Sequence, residues 1–422
     1  MHRFVRSMTR IYATLDRWRL QLHGTFAAKV SVVFIYSGLS YALIALCLVL
    51  AARTWGPAEY GNVTLTASIG ALLYFPMSLG VQNAMYRFLP LADDTERPRW
   101  MVAALVGQSV SLILFVVLYL LMYPFLVAPL RISSHIWHTA IVFTVTSNVM
   151  AFAEALLRGT NRFTLIGQLR LISALIFTIL VFLVLYGFRF DDFAWYYYAY
   201  AAAHMPFVAV VLWLVRLSLR QFEWSMLKAI YVYGVFVMLN TLGTTIILNS
   251  DIIILNYFYP GESVGIYAAY QGFAKQIFFV LFHEIFAVVF LPTIATMEAE
   301  HVRTLLQKYS LITFAGGITM TALLTTGMLL VLGREYPLNG WYVLIIACAT
   351  ALFLVFQLYN SSLFMQGNEG AQRSLRAVAT ILPFALLIQG ILTYMLGVFG
   401  TFLALLITNG LLILRIRWAI RA

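Results

Sequence analysis

The residues best placed to do chemistry are polar side chains within long apolar stretches. Lys275 is the only Lys or Arg deep within such a stretch, and Gln271 lies one helical turn before it on the same face. A charge at that depth costs about 2.5 to 3.5 kcal/mol on insertion scales when it faces lipid. We therefore expect Lys275 to face a cavity or a partner group, with Gln271 on the same face of the helix.

Acidic and amide side chains in the same stretches are candidates for ion coupling. Asn240, Thr244 and Asp251 fall within about 40° of one another at helical spacing, which predicts a polar stripe that faces the interior. Asp251 could bind Na⁺ or a proton there. The alternative is that Asp251 caps the outer end of its helix near the lipid headgroups.

Three more titratable residues have two open interpretations. His283 and Glu284 follow Lys275 along the same predicted helix, but Glu284 lies about 180° around it from Lys275. Glu284 is either a proton-coupling site, with His283 beside it, or both side chains link neighbouring helices. Glu154, with Ser147 two turns before it, is a further candidate of the same kind.

Arginines at the ends of the apolar stretches could bind an anionic group on entry or exit. Arg87, Arg158 and Arg162 lie at such ends on one side of the membrane, and Arg53 lies at an end on the other side. A guanidinium there could receive a phosphate. The alternative is that each of these arginines orients the chain and reaches toward lipid phosphates.

Membrane-spanning helices must position all these side chains. Hydrophobic residues make up 62% of the 422 residues and charged residues 10%, with a mean hydropathy of +0.89, whereas a soluble domain is about 25% charged. The apolar stretches are about 20 to 28 residues long, enough to cross a bilayer as a helix. We predict an all-α integral membrane protein of about twelve transmembrane helices. The predicted spans are 29–52, 61–83, 100–123, 137–157, 165–187, 194–217, 231–258, 264–291, 308–332, 340–365, 374–397 and 399–417.

The basic residues predict the orientation of these spans. Nearly all of the 27 Lys and Arg residues, Arg170 among them, fall on the side of the N terminus. The predicted outer segments hold only Arg53, Arg131, Arg189 and Arg334. This asymmetry predicts that both termini are cytoplasmic. Topology and anionic lipid also account for the net charge of +11, so no nucleic-acid partner is expected.

An internal repeat predicts two parallel halves. Trp55–Gly61 after the first span resembles Tyr259–Gly265 after the seventh, at an offset of 204 residues. Weaker matches pair 88–90 with 290–292 and 158–159 with 366–367. We divide the chain into a basic amphipathic segment at the interface (1–28), a six-helix half (29–217), a cytoplasmic linker (218–230) and a second six-helix half (231–422). Transporters built from parallel repeats bind substrate in a central cavity between the halves.

Several motifs resemble those of a known family. Leu50–Gly61 (LAARTWGPAEYG) and Gly80–Leu89 (GVQNAMYRFL), followed by Asp251–Leu255 and Val264–Tyr267, are similar to the polysaccharide transporters of the MOP superfamily, especially the O-antigen (Wzx-type) flippases. The resemblance implies a flippase that moves an undecaprenyl-diphosphate-linked oligosaccharide across the bacterial inner membrane for O-antigen and lipopolysaccharide biosynthesis. Implied partners are membrane lipids, a polysaccharide polymerase and a chain-length regulator.

The resemblance also gives the candidate residues their roles and leaves alternatives open. Lys275, Gln271, Arg87, Arg158 and Arg53 become candidates for binding the substrate, with Na⁺ or a proton as the coupling ion. A cation-coupled (MATE-like) drug antiporter is the first alternative, and a lipid II flippase, which usually has fourteen spans, is the second.

Enzyme motifs are absent from the sequence. No Gly-rich phosphate loop, Gly-x-Ser-x-Gly or His-Glu-x-x-His is present, and no bound cofactor is expected. Asp93-Asp94 and Asp191-Asp192 could suggest the acid pairs of a glycosyltransferase, but each pair lies in a short loop among turn residues. A transporter is therefore favoured over a polymerase or another enzyme.

Overall fold

Helices form nearly all of the chain. The computed structural model describes residues 26–160, 162–215, 218–278, 299–365 and 368–421, and within them every regular element is helical. The α-helices are α1 Phe26–Ser78, α2 Val81–Phe88, α3 Arg97–Leu126, α4 Ser134–Gly159, α5 Phe163–Phe182, α6 Ala194–Val215, α7 Trp224–Phe258, α8 Glu262–Phe278, α9 Ala299–Leu332, α10 Gly340–Met365 and α11 Asn368–Arg421. A π-helical turn, Leu183–Gly187, extends α5, and a 3₁₀ turn, Leu219–Gln221, precedes α7.

Among these described helices, nine are long and apolar enough to cross a membrane. Two of the nine are far longer than one crossing requires. The 53 residues of α1 would measure about 80 Å as a straight helix, against a hydrocarbon core of about 30 Å. Both α1 and the 54-residue α11 contain a sharp break. The protein is therefore a multi-pass, all-α membrane protein, and the count of twelve spans stays a prediction.

Glycines cause both breaks. Gly56 (φ 75°) and Gly397 (φ 58°) have left-handed backbone conformations inside α1 and α11, which glycine adopts at little cost. Pro57 follows Gly56 and suits the first turn of the next helical segment, where its missing N–H is not needed. The breaks lie where the sequence predicts turns, between 52 and 61 and between 397 and 399.

The backbone itself repeats along the chain. Three left-handed residues in the first part, Gly56, Arg131 and Arg189, have counterparts in Gly261, Gly333 and Gly397. The paired positions are 205, 202 and 208 residues apart, which are nearly the offsets of the sequence repeat. All six lie at or next to the ends of helical segments, on one face of the bundle. Following the predicted orientation, we call this face outer. The two parts of the chain therefore share one pattern of helices and turns.

Glycines also let the two repeats touch backbone to backbone. A Cβ on Gly265 of α8 would lie 1.7 Å from the carbonyl oxygen of Pro57, just after the break in α1. At the opposite, inner face, a Cβ on Gly80 would lie 2.1 Å from the carbonyl oxygen of Gly234 on α7. Only glycine fits such contacts. The repeats are thus in direct contact near both faces of the bundle.

The bundle has an aromatic interior and an apolar exterior. Trp137, Tyr60 and Tyr267 are among the largest fully buried side chains. Large apolar residues remain exposed around the bundle, including Phe125 at 74% and Leu323 at 69%. A soluble monomer rarely exposes such continuous apolar surface, which is the surface that lipid covers in a membrane protein.

Candidate functional site

A buried ion pair joins α4 and α5. Arg170 donates from Nε to Glu154 Oε1 at 2.6 Å and from Nη2 to Glu154 Oε2 at 2.7 Å. The side chains are only 14% and 8% exposed. Arg170 also donates from Nη1 to Ser37 Oγ on α1 at 3.2 Å. This bidentate geometry is the strongest arrangement available to a guanidinium and a carboxylate.

The position of Arg170 corrects the sequence-based interpretation. The charge distribution places Arg170 among the cytoplasmic residues and leaves Lys275 as the only cation deep within a span. In the structure α5 begins at Phe163, so Arg170 lies two turns inside this helix. Its charge is tolerated because Glu154, on the neighbouring α4, pairs with it. Arg170 is therefore part of the interior rather than of a loop.

A second arginine lies beside the same carboxylate. Arg158, one turn after Glu154 on α4, approaches Glu154 Oε2 with Nη2 at 3.5 Å, and its side chain is 37% exposed. Its guanidinium lies 5.6 Å from the centre of the Tyr86 ring on α2. Two guanidiniums thus share one carboxylate, with Arg158 at the accessible rim and Arg170 deeper. We call Glu154, Arg158, Arg170 and Ser37 the arginine site.

Aromatic and amide side chains surround the arginine site. On α6, His204 donates from Nδ1 to the carbonyl oxygen of Tyr200 at 2.7 Å, and both residues interact electrostatically with Glu154. Nearby, Tyr74 donates to Gln82 Oε1 at 2.5 Å, and Gln82 donates to Asn148. These buried hydroxyl and amide groups could hydrogen-bond a polar ligand once they exchange partners.

The second repeat holds a different buried acid. Asp251 on α7 is fully buried; its Oδ2 accepts from Tyr267 Oη on α8 at 2.6 Å and from Gln271 Nε2, and its Oδ1 accepts from the N–H of Ile252 at 2.8 Å. Full burial excludes the alternative in which Asp251 meets the headgroups at the helix end. The Oε1 atom of Gln271 is buried and has no hydrogen-bond partner among the described residues.

The polar stripe predicted on α7 does face the interior. Asn240, Thr244 and Asp251 are 3%, 8% and 0% exposed. Asn240 donates from Nδ2 to Ser374 Oγ at 3.3 Å, and Ser374 in turn donates to Asn360 Oδ1. Thr244 donates to the carbonyl oxygen of Thr241 at 2.9 Å within its own helix. Asn240 therefore joins α7 to α10 and α11 through neutral hydrogen bonds, whereas Asp251 joins α7 to α8.

The remaining candidate residues from the sequence are not part of the arginine site or of the polar stripe on α7. Arg87 lies 4.7 Å from the ring centre of Tyr233, where it links α2 to α7 at the inner face. Arg53 is exposed at the outer end of the first segment of α1. Lys275 lies on the backbone of α8, but its side chain is outside the described part of the structure, as are His283 and Glu284 entirely. Their roles remain predictions.

The loop acids are turn residues, as the sequence indicates. Asp93 Oδ1 accepts from the N–H groups of Glu96 and Thr95, both at 2.8 Å, and these bonds lower the pKa of the Asp93 carboxyl, that of Glu96 most. Asp192 Oδ1 accepts from the N–H of Ala194 at 2.9 Å and from His135. The described residues contain no cluster of three metal-ligating side chains.

From the sequence, Glu154 and Arg158 are separate candidates, but their pairing with Arg170 is missed, although the sequence holds a signal for it. Arg170 falls within the predicted span 165–187, and Glu154 lies 16 residues before it, across one short inner turn. In two antiparallel helices joined by such a turn, residues equally far from the turn lie side by side. The contribution of Ser37, 133 residues away in sequence, carries no such signal.

An apolar groove of about 650 Å³ lies on the outer half of the bundle between α7 and α11. Phe258, Pro383, Leu387 and Tyr394 line it. Such a lining suits an alkyl or isoprenoid chain rather than a charged group. The central cavity that the sequence predicts stays a prediction.

The chain matches one family of sequences and several solved structures. A model of the family described as polysaccharide biosynthesis protein matches residues 26–298. An inward-facing multidrug resistance MATE family transporter of the MOP superfamily is 17% identical with a TM-score of 0.67, over 92% of this chain and 97% of that one. The lipid II flippase MurJ in an inward closed conformation is 14% identical with a TM-score of 0.68, over 92% and 87%.

A MOP superfamily transporter from Pyrococcus furiosus is 15% identical with a TM-score of 0.55, over 93% of this chain and 94% of that chain. No curated protein matches the chain by sequence. At these identities the solved structures show the fold alone, which is that of the MOP superfamily transporters, as the motifs predict.

Proposed function

We propose that this chain, which belongs to the polysaccharide biosynthesis protein family, is a flippase that moves an undecaprenyl-diphosphate-linked oligosaccharide from the cytoplasmic to the outer leaflet. The observation that carries the proposal is the match to this family over residues 26–298 in a chain with the MOP transporter fold. These relatives are transporters rather than enzymes. A membrane transporter in a family of polysaccharide biosynthesis has a sugar-bearing lipid as its natural cargo.

The arginine site fits the most difficult part of that cargo. A diphosphate must cross a region where water is scarce, so it needs fixed positive charge and hydrogen-bond donors. Arg158 and Arg170 supply two guanidiniums near the inner face, where a cytoplasmic headgroup would enter. Lys275 and Gln271 on α8, with Arg87 and Arg53 nearer the two faces, remain further candidates along the path. The apolar groove by Pro383 could hold part of the lipid tail.

Alternating access between the two repeats is the proposed mechanism. The repeats touch through glycine backbones at both faces, Gly265 with Pro57 outside and Gly80 with Gly234 inside. Contacts without side chains can part and re-form without repacking a core. We expect the outer contact to open for release of the headgroup and the inner contact to open for its entry.

Replacing one glycine tests this mechanism. Gly265→Ala places a methyl group 1.7 Å from the carbonyl oxygen of Pro57, so the outer contact cannot close and export should fall at least about tenfold. Gly316→Ala is the matched control, because a Cβ at Gly316 has no neighbour within 4 Å. Export should be measured at equal protein levels. Unchanged export by the Gly265 variant would remove this contact from the mechanism.

Asp251 is the proposed coupling group. It is a buried acid of the second repeat, and a proton or Na⁺ could replace the donors from Tyr267 and Gln271 that now hold it. Glu154, Asn240, Thr244, His283 and Glu284 are the other candidates for ion coupling. The proposed location is the bacterial inner membrane with both termini cytoplasmic, beside a polysaccharide polymerase and a chain-length regulator.

Depletion of the protein tests the proposed function. Lipid-linked oligosaccharide should accumulate in the cytoplasmic leaflet, out of reach of a membrane-impermeant lectin added to spheroplasts. The wild-type chain should restore labelling, whereas an Arg158→Gln/Arg170→Gln chain of equal abundance should not. Normal glycan display in depleted cells would overturn the proposal.

Drug export is the second candidate, because several of the structural neighbours are MATE transporters. It predicts new drug sensitivity and unchanged glycan display after depletion. A lipid II flippase, favoured by the fold of MurJ, predicts cell lysis instead. The three outcomes can be separated in the same depleted strain.

A further inference from the structure

The bidentate contact of Arg170 with Glu154 uses the same geometry that binds phosphate. A guanidinium presents parallel N–H groups that match two oxygens of a carboxylate or of a phosphate equally well. Here the two distances are 2.6 and 2.7 Å, and both acceptor atoms belong to Glu154. Glu154 thus occupies the position that an anionic oxygen of a ligand would take.

The second arginine lets Glu154 give up this position without losing every partner. Arg158 lies 3.5 Å from Glu154 Oε2, one turn along the same helix. A buried carboxylate left alone is very costly. Because two guanidiniums share one carboxylate, Arg170 can turn to another anion while Glu154 remains beside Arg158. Four more titratable side chains interact electrostatically with Glu154: Tyr74 on α1, Tyr86 on α2, and Tyr200 and His204 on α6.

The second repeat shows that the fold does not need charge at this place. Asn360, Ser374 and Asn240 lie 206, 204 and 203 residues after Glu154, Arg170 and Ser37, within the range of 202 to 208 residues that separates the other repeated positions. These three residues join α10, α11 and α7 by hydrogen bonds between neutral groups. Equivalent helices are therefore linked without ions in the same protein, so holding helices together does not explain the ions of the first repeat.

We propose that Glu154 is an exchangeable internal ligand that competes with the substrate's diphosphate for Arg170 and Arg158. This inference rests on the proposed function and adds to it how the arginine site is kept closed. Without substrate, Glu154 neutralises Arg170 in the interior. When a diphosphate enters past Arg158, it takes over the Arg170 fork, and Glu154 stays with Arg158. Release of the headgroup restores the Glu154–Arg170 pair, which favours turnover over tight binding.

Binding of a prenyl diphosphate to the full-length protein tests the inference. Farnesyl diphosphate serves as the probe for purified protein in nanodiscs, with farnesol as the control for binding through the tail alone. Glu154→Gln removes the competing charge and keeps the size of the side chain. It should bind farnesyl diphosphate about 5 to 150 times more tightly than wild type, the usual range of coupling between two sites. Binding of farnesol should not change.

Two variants distinguish competition from a general effect of charge. Glu59→Gln removes one negative charge just after the break in α1 at the outer face, where Glu59 accepts only from Asn62 among its described contacts, and should bind the probe like wild type. Arg170→Gln should bind it at least about five times more weakly. If Glu154→Gln binds no more tightly than wild type, or if Glu59→Gln gains as much, the inference is overturned.

The result separates this inference from the proposed function. A wild-type chain that exports glycolipid, together with a Glu154→Gln chain that gains no affinity, refutes only the competition. A wild-type chain that neither exports glycolipid nor binds the probe refutes both. Should Glu154→Gln fail to fold, Glu154→Asp gives the same test, because its shorter side chain weakens the contact with Arg170 and should also tighten binding of the probe.

Discussion

The two repeats place polar residues at equivalent positions and use them differently. In the first repeat Glu154, Arg170 and Ser37 form an ionic triad, and in the second their counterparts Asn360, Ser374 and Asn240 form a neutral one. Both triads join the same three helices of their repeat. The difference shows that equivalent helices are linked by an ion pair in one repeat and by neutral hydrogen bonds in the other.

The second repeat in turn has a buried acid at a position where the first repeat has an uncharged residue. Asp251, a buried acid of the second repeat, corresponds at an offset of 204 to Cys47 of the first, which contacts Thr178 at 3.5 Å. Tyr267, which donates to Asp251, corresponds to the apolar Val63. One repeat thus has a paired cationic site near the inner face, and the other has an acid nearer the outer face. Under the proposed function, the first repeat would contribute its arginine site to binding of the anion, and the second would contribute Asp251 to coupling.

Arg170→Gln should have the largest effect on stability, because it removes the cation of the ionic triad and leaves the buried Glu154 carboxylate behind. Glu154 keeps only the longer contact with Arg158, and breaking a buried pair in this way costs about 3 to 5 kcal/mol. Thermal unfolding in detergent, followed by tryptophan fluorescence, measures the loss. Adding Glu154→Gln should restore part of the stability. A double variant no more stable than Arg170→Gln would show that the two charges do not interact.

Asp251→Asn should leave the second repeat folded but change its coupling. The asparagine oxygen can still accept from Tyr267 or Gln271, while its NH₂ group cannot accept from Ile252 N–H, so we expect a loss of about 1 kcal/mol. Glycolipid movement in vesicles should no longer respond to an imposed Na⁺ or proton gradient. A variant that responds like wild type would exclude Asp251 as the coupling group.

Ser374→Ala measures the neutral triad directly. It removes the hydroxyl that accepts from Asn240 and donates to Asn360, which should cost about 1 kcal/mol in stability and leave farnesyl diphosphate binding unchanged. Thermal unfolding and binding are measured on the same sample. A loss of binding would contradict the assignment of the anion site to the first repeat.

Arg99→Gln should have the smallest effect on stability and serves as the reference for an exposed ion pair. Arg99 and Glu223 form an ion pair at 2.7 Å, but their side chains are 49% and 37% exposed at the inner face. Exposed pairs of this kind contribute less than about 1 kcal/mol. If thermal unfolding shows a loss of stability as large as that of Arg170→Gln, burial is not what makes the Glu154 pair strong.

The candidate site could be only partly predicted. Local patterns identified Asp251, Asn240 and Thr244 as interior residues, because helical spacing alone places them on one face. They also placed Glu154 and Arg158 among the candidates. Arg170 was assigned to the wrong environment, since a charge tally counts residues by position along the chain and cannot see a partner on another helix.

The sequence by itself determined the class of the protein, the positions of its turns and its repeat. Long apolar stretches must become helices in a bilayer, and glycines such as Gly56 and Gly397 mark where those helices break. Only the tertiary structure decided which polar groups meet. Glu154, Arg170 and Ser37 come from three helices, and their contact depends on how those helices pack. The same packing brings Gly265 against Pro57, which periodicity along a single helix cannot reveal.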